Sequence, residues 1–112
     1  MKNILILLVA LIGFSAQAQE KNKNAKFAFE VNGNCEQCKK RIEKAAYSVP
    51  GVKMAGWDIQ THQLTGIVNE EKATASDIKK AVAKAGHDTD EAKATDQQYN
   101  DLHHCCQYER KP

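Results

Sequence analysis

Residues 27–46 read FAFEVNGNCEQCKKRIEKAA, and a change of period inside this stretch decides the fold. Phe27, Phe29 and Val31 alternate with Ala28, Glu30 and Asn32, the period of two that buries one face of a strand. Gly33-Asn34 breaks it. From Glu36 to Val49 the period is helical: Cys38, Ile42, Ala45 or Ala46, and Val49 share one face, while Lys39, Lys40, Glu43 and Lys44 face water. Glu36 with Lys40, and Lys39 with Glu43, stand at the i,i+4 spacing of helical ion pairs. Pro50-Gly51 ends the helix. Cys35 and Cys38 therefore lie where a strand hands over to a helix.

Downstream, Val52 to Gln60 reads as a second strand with Ala55, Trp57 and Ile59 on one face. Gln60 to Gln63 makes a turn, and Leu64 to Asn69 a third strand, in which Gly66 leaves a thin spot suited to close approach of a helix. Thr74 caps a second helix with Asp77 as capping-box partner. Ile78, Ala81, Val82 and Ala85 form its buried stripe, and Gly86 suits the position after its end. A weak signal within Thr89–Lys93 supplies a last short strand. The order is that of an α+β, ferredoxin-like βαββαβ sandwich: a four-stranded antiparallel sheet with two helices on one face. Trp57 reads as core and Met54 as packing. Thr95 to Leu102 predicts a short helix with Asp96 near its start, and the tail continues through His103-His104-Cys105-Cys106 to a charged end.

The 112 residues suit one domain. Lys+Arg 16 against Asp+Glu 14 gives a net charge of +2, which argues against nucleic-acid binding through massed phosphate contacts. Three Phe, three Tyr and one Trp offer no stacking platform for bases. Residues 1–18, MKNILILLVALIGFSAQA, have a basic start, an apolar run from Ile4 to Ile12 and an Ala-Gln-Ala end. That is the pattern of a cleaved secretory signal, and the run falls short of the roughly 20 apolar residues a spanning helix needs. The expected organisation is a signal at 1–18, a polar leader at 19–25, a domain at 26–93 and a C-terminal extension at 94–112. The expected location is periplasmic or secreted, with no stable membrane insertion after cleavage and a monomeric state.

Cys35 and Cys38 are placed for thiol chemistry. A helix N-terminus carries unpaired N–H groups and partial positive charge, both of which favour the thiolate that binds metals or attacks disulfides. Lys39, Lys40 and Arg41 add positive charge. Two soft sulfurs at this spacing suit Cu(I) or Hg(II), and supply half of a tetrahedral Zn(II) site.

The segment 27–46, the following Pro50-Gly51-Val52 with its strands, and the second helix ending in AKAGHD (residues 83–88) resemble the heavy-metal-associated domain family over about residues 26–92. That family includes copper chaperones, modules of copper-transporting ATPases and periplasmic mercury-binding proteins. The resemblance implies that Cys35 and Cys38 bind the metal, that the ion is Cu(I) first, with Hg(II) or Zn(II) as alternatives, and that a metal-transporting ATPase or another acceptor protein is the partner. It also implies a binder rather than an enzyme. The usual loop is Gly-Met-x-Cys-x-x-Cys; here Gly33-Asn34-Cys35-Glu36-Gln37-Cys38 lacks the Met and is one residue shorter before the first Cys. His87 follows Gly86 at the same end of the sheet as this loop. It reads either as a surface-loop histidine, the plainer alternative, or as a ligand or electrostatic tuner.

His103, His104, Cys105 and Cys106 are four further candidate ligands. Adjacent cysteines chelate one ion poorly and bridge each other only under strain. A helix over residues 95–102, about 12 Å long, would carry the chain back toward the Cys35 loop, so that a tail cysteine or histidine joins Cys35 and Cys38. The alternative is a disulfide framework, favoured by export and open to three connectivities. A thiol-disulfide oxidoreductase also uses CxxC at such a junction. Against it, no Trp precedes the pair, and the only prolines, Pro50 and Pro112, are not placed in a later loop facing it. Lys39 stands where a haem-attachment motif needs His.

Overall fold

The computed structural model of the chain describes residues 21–111. The secretory signal expected at 1–18 lies outside the described residues. Three strands, β1 (Ala25–Glu30), β2 (Val52–Trp57) and β3 (Gln63–Val68), form one antiparallel sheet in the order β1-β3-β2. Helix α1 (Glu36–Tyr47) joins β1 to β2, and α2 (Ala75–Lys84) follows β3. A five-residue helix, α3 (Asp96–Asn100), and a 3-10 turn at His104–Cys106 make up the tail.

The sheet face toward the helices carries Phe27 and Phe29 of β1, paired with Gly66 and Leu64, and Trp57 of β2, also opposite Leu64. These pack with Ile42 and Ala46 of α1 and with Ile78 and Val82 of α2 into one core. The α2 stripe is rotated from the expected one. Ala81 and Ala85 are half-buried, and Ala83 and the stem of Lys79 are buried instead. Lys79 lies over the Phe29 ring at 5.1 Å and reaches Asp90 and Glu91 with its ammonium group, so its aliphatic part covers the core while its charge stays paired near water.

Gly66 is needed for a reason other than helix packing. A β-carbon there would lie 1.9 Å from the Met54 carbonyl oxygen and 2.6 Å from the Phe27 ring. The register of β2 shifts between Val52 and Met54, a bulge that pushes the Met54 backbone over its neighbour. The same irregularity leaves Met54 58% exposed, so it is not the packing residue expected. β2 is an edge strand, and α1 covers two of its donors: Ala55 N–H donates to the Tyr47 hydroxyl and Trp57 N–H to the Glu43 carboxylate. Side chains that pair with an edge deny it to other strands.

The fourth strand expected within Thr89–Lys93 does not form, and among the described residues the sheet has three strands rather than four. Only an isolated bridge, Val31 to Thr89, remains of it. The physical reason is a competing set of local bonds. Thr89 N–H donates to the Ala92 carbonyl at 2.8 Å, and the Thr89 hydroxyl accepts from Ala92 N–H at 2.9 Å. These close a turn within the very residues that would have to extend along β1. β2 also ends earlier than the Gln60 expected, because Asp58 accepts from Gln60 N–H and Thr61 N–H and folds the chain into the turn.

The start of α2 follows the expected chemistry. The tail helix forms as expected but is shorter, Asp96–Asn100 rather than Thr95 to Leu102, and carries a capping box that was not expected. Thr74 and Asp77 form a capping box on α2, and Thr95 and Gln98 form one on α3. α2 ends in a Schellman arrangement: Gly86 N–H donates to Ala83 and His87 N–H to Val82, with Gly86 at φ 110°. A β-carbon on Gly86 would stand 2.8 Å from Leu102 and 2.9 Å from the Gln98 carbonyl. The tail therefore crosses directly over the end of α2. Among the described residues, no helix is long and apolar enough to cross a membrane.

Candidate metal centre

The loop between β1 and α1 is held from inside. Asn32 N–H donates to the Asp88 carbonyl at 2.9 Å. Gly33 fits between the Cys38 β-carbon and the Trp57 ring, each about 3.1 Å from where its own β-carbon would be. The Trp57 indole N–H donates to the Val31 carbonyl at 3.0 Å. Trp57 is thus core, as expected, and also the floor beneath the loop.

Cys35 is the N-cap residue of α1, with extended backbone, and its carbonyl accepts from Lys39 N–H. Cys38 is fully buried in the first turn. Their sulfurs are 3.3 Å apart, far beyond the S–S bond length of about 2.05 Å, and all four cysteines are free thiols. Burial by itself would push the Cys35 thiol up. Hydrogen bonds from the Cys38 N–H, the Cys38 and Cys106 thiols and the Gln37 N–H outweigh it and bring Cys35 down to about 7. Burial dominates at Cys38 and Cys106, and both thiols are pushed up. The cluster therefore has one thiol poised to ionise near neutral pH beside two that stay protonated.

The tail does return to this loop. Cys106 is fully buried, with its sulfur 3.4 Å from that of Cys35. Cys105 is exposed, 3.9 Å from the Cys106 sulfur, and donates to the Gln37 side-chain carbonyl. The 3-10 turn separates the two adjacent cysteines, one inward and one outward. The sulfurs of Cys35, Cys105 and Cys106 all lie within 4.8 Å of one another. His103 and His104 are exposed and stand outside this group.

His87 is not the surface histidine that seemed the plainer reading. It is fully buried, stacked on Tyr108 with ring centroids 5.6 Å apart. Its Nδ1 contacts the Asn32 carbonyl at 2.8 Å, while Nε2 has no partner. Burial holds its pKa below the usual value, so the ring is neutral and Nδ1–H is the donor to Asn32. Its role on this geometry is to brace the loop three residues before Cys35.

Several residues of the site went unread in the sequence. Asn34 accepts from the Cys38 thiol at 3.2 Å. Tyr108 donates its hydroxyl to the Gly86 carbonyl and accepts from Asp88 N–H, each at 2.8 Å. Arg110 grips the buried Asp88 carboxylate through Nε and Nη2, both at 2.9 Å, and adds a bond to the Ala94 carbonyl. A polar, charged terminus gives no local signal for such contacts; only the pairing of a lone Tyr and Arg beyond a cysteine cluster hints that the end is anchored.

The molecule is a small α+β domain with thiols gathered at the start of its first helix. It belongs to the heavy-metal-associated domain family, whose profile matches residues 28–88. Among solved structures, the CopZ metallochaperone aligns with a TM-score of 0.56 and 26% identity over 58% of this chain and 98% of that one. The N-terminal domain of a potential copper-translocating P-type ATPase from Bacillus subtilis, in its Cu(I)-loaded state, aligns with a TM-score of 0.56 and 33% identity, covering 59% and 84%. Oxidized MerP from Ralstonia metallidurans CH34 shares the fold, with a TM-score of 0.51 and 24% identity over 58% and 94%. A search of curated protein sequences gives no match. The family profile ends before the tail.

Proposed function

We propose that this protein is an exported carrier or store for a soft heavy-metal ion, bound as cargo by the thiolates of Cys35 and Cys38. The observation that carries this reading is the pair itself: two sulfurs 3.3 Å apart at a helix N-terminus, one with its pKa near 7. Binding leaves both sulfurs as thiolates: Cys38 gives up its proton to solvent, while Cys35 is already partly ionised near neutral pH. Soft sulfur ligation favours Cu(I), with Hg(II) as the next candidate and Zn(II) if further ligands complete a tetrahedron. The relatedness to CopZ and to the copper-translocating ATPase domain supports Cu(I) and suggests an acceptor of the same fold on a metal-transporting ATPase. Residues 1–18 support export to a periplasm or beyond.

The test is native mass spectrometry of the reduced protein with Cu(I), Hg(II) and Zn(II), repeated on the double variant Cys35→Ser/Cys38→Ser. Binding of Cu(I) or Hg(II) that is lost in the double variant is expected. Absence of any bound ion in the reduced wild type sinks the reading.

A further inference from the structure

Beyond residue 88 the chain leaves the segment matched by the family profile, yet it is fastened to the domain at every stage. Leu102 fills the space over Gly86 and is 4% exposed. The Tyr108 hydroxyl bridges the Gly86 carbonyl and the Asp88 amide, and Tyr99 donates to the Tyr108 carbonyl. Arg110 closes the strap on Asp88 and lies over the Tyr99 ring at 5.0 Å. Between these anchors the turn at residues 104–106 packs on α1. It delivers Cys106 into the core beside Cys38, which lies 3.9 Å from the Cys106 carbonyl oxygen.

We propose that the tail completes the metal site: Cys106 supplies a third sulfur to an ion held by Cys35 and Cys38, and Cys105 stands at the mouth as the exposed thiol an incoming ion meets first. This rests on the reading of Cys35 and Cys38 as metal ligands and adds to it the coordination number. The spacing of the sulfurs favours one geometry over the other. With a metal–sulfur bond of about 2.3 Å, ligands in a linear pair stand about 4.6 Å apart and those in a trigonal set about 4.0 Å. The Cys35–Cys38 and Cys35–Cys106 separations are 3.3 and 3.4 Å, closer to trigonal spacing on both sides of Cys35. A small outward movement of three sulfurs admits the ion, whereas linear binding requires the first pair to open by more than an ångström and leaves Cys106 pressed against the ligand it faces.

Ligation removes the Cys106 proton, which passes to solvent, and an ion among these three sulfurs has Cys38 and Cys106 on its buried side. Such an ion is released more slowly than one held by Cys35 and Cys38 alone. That makes the site one that retains its cargo until a competing thiol or a partner displaces the tail.

X-ray absorption at the metal edge counts the sulfurs directly. With one equivalent of Hg(II), or of Cu(I) under reducing conditions, the wild type is expected to show three sulfurs and Cys106→Ser two. Affinity in Cys106→Ser should fall by at least about tenfold, the low end of what loss of even an outer partner of a ligand costs. Cys105→Ser should keep three. Two sulfurs in the wild type, with unchanged affinity in Cys106→Ser, overturn the tail's role and leave the Cys35/Cys38 reading standing. Failure of Cys35→Ser/Cys38→Ser to abolish binding overturns both. A wild-type count of two overturns the proposal even if a variant does not fold.

Discussion

Cys35 and Cys38 are separated by two residues and differ in nearly everything that matters to a thiol. Cys35 is half-exposed at the helix cap and receives hydrogen bonds; Cys38 is buried one turn in and donates one to Asn34. Reactivity with a small alkylating agent should therefore divide. Cys35 is expected to react with a pH midpoint near 7, its thiolate disappearing as pH falls below that value, while Cys38 is protected by burial. Peptide mapping after brief alkylation from pH 5 to 9 checks this; equal labelling of the two cysteines at neutral pH would contradict the assignment. The presence of the pair at a strand-to-helix junction is written in residues 27–46, because a switch from period two to the helical period is a local property. The inequality of the two thiols is only partly local: the Cys38 and Gln37 N–H groups that lower Cys35 belong to the same helical turn, while part of it comes from the tail. That part is the contact with Cys106, 71 residues away from Cys35 along the chain.

Among the elements, α1 and α2 are legible for the same reason as the cysteine pair: stripes, capping residues and glycine stops lie within a few positions of one another. The missing fourth strand and the strap are the places where local reading fails. A weak strand signal at residues 89–93 loses to a turn closed by Thr89 and Ala92, next to an Asp88 that is fixed by the strap. The Asp88 carboxylate is 1% exposed and Arg110 25%. Burial alone would raise the Asp88 pKa, but Arg110 and the Ala94 N–H hold it below the usual carboxylate range. Arg110→Ala leaves that charge buried without its partner. At neutral pH it should cost about 2–3 kcal/mol, less than the roughly 3–5 kcal/mol of a fully buried pair, because Arg110 is partly in water. The sign with pH follows from linkage. A depressed folded-state pKa gives stability that is present above the unfolded value of about 3.9 and is lost as pH falls through the folded one. The gap between wild type and Arg110→Ala in denaturant titrations is thus expected to narrow as pH drops below about 4. A gap independent of pH would show that Arg110 acts through packing on Tyr99 alone.

At the scale of the whole molecule, the sulfurs of one cluster come from the two ends of the fold. Cys35 and Cys38 open α1, while Cys105 and Cys106 arrive after the chain has crossed the end of α2. An ion held by both sets ties residue 35 to residue 106 and stabilises everything between them. Free ion at a hundred times the dissociation constant should add about 2.7 kcal/mol. Hydrogen exchange gives the discriminating measurement. The amides of Leu102 and Cys106, bonded to the Tyr99 and His103 carbonyls, should slow on addition of one equivalent of Hg(II). Slowing confined to α1 would place the ion on Cys35 and Cys38 alone.

The sequence by itself determined a single β-α-β-β-α domain with a two-cysteine motif at its first helix, and with it the class of chemistry. Periodicity, caps and turn residues act over a few positions, so they can be read in order along the chain. The tertiary structure decided that the sheet stops at three strands, that His87 is a buried brace, and that Cys106 rather than the neighbouring histidines faces Cys35. The missing strand turns on a local competition, the Thr89–Ala92 turn, that outweighs a weak strand signal. The other two turn on contacts across the chain, His87 with Asn32, Tyr108 with Gly86 and Arg110 with Asp88. Such contacts exist only once the core has set the distance between the segments that make them.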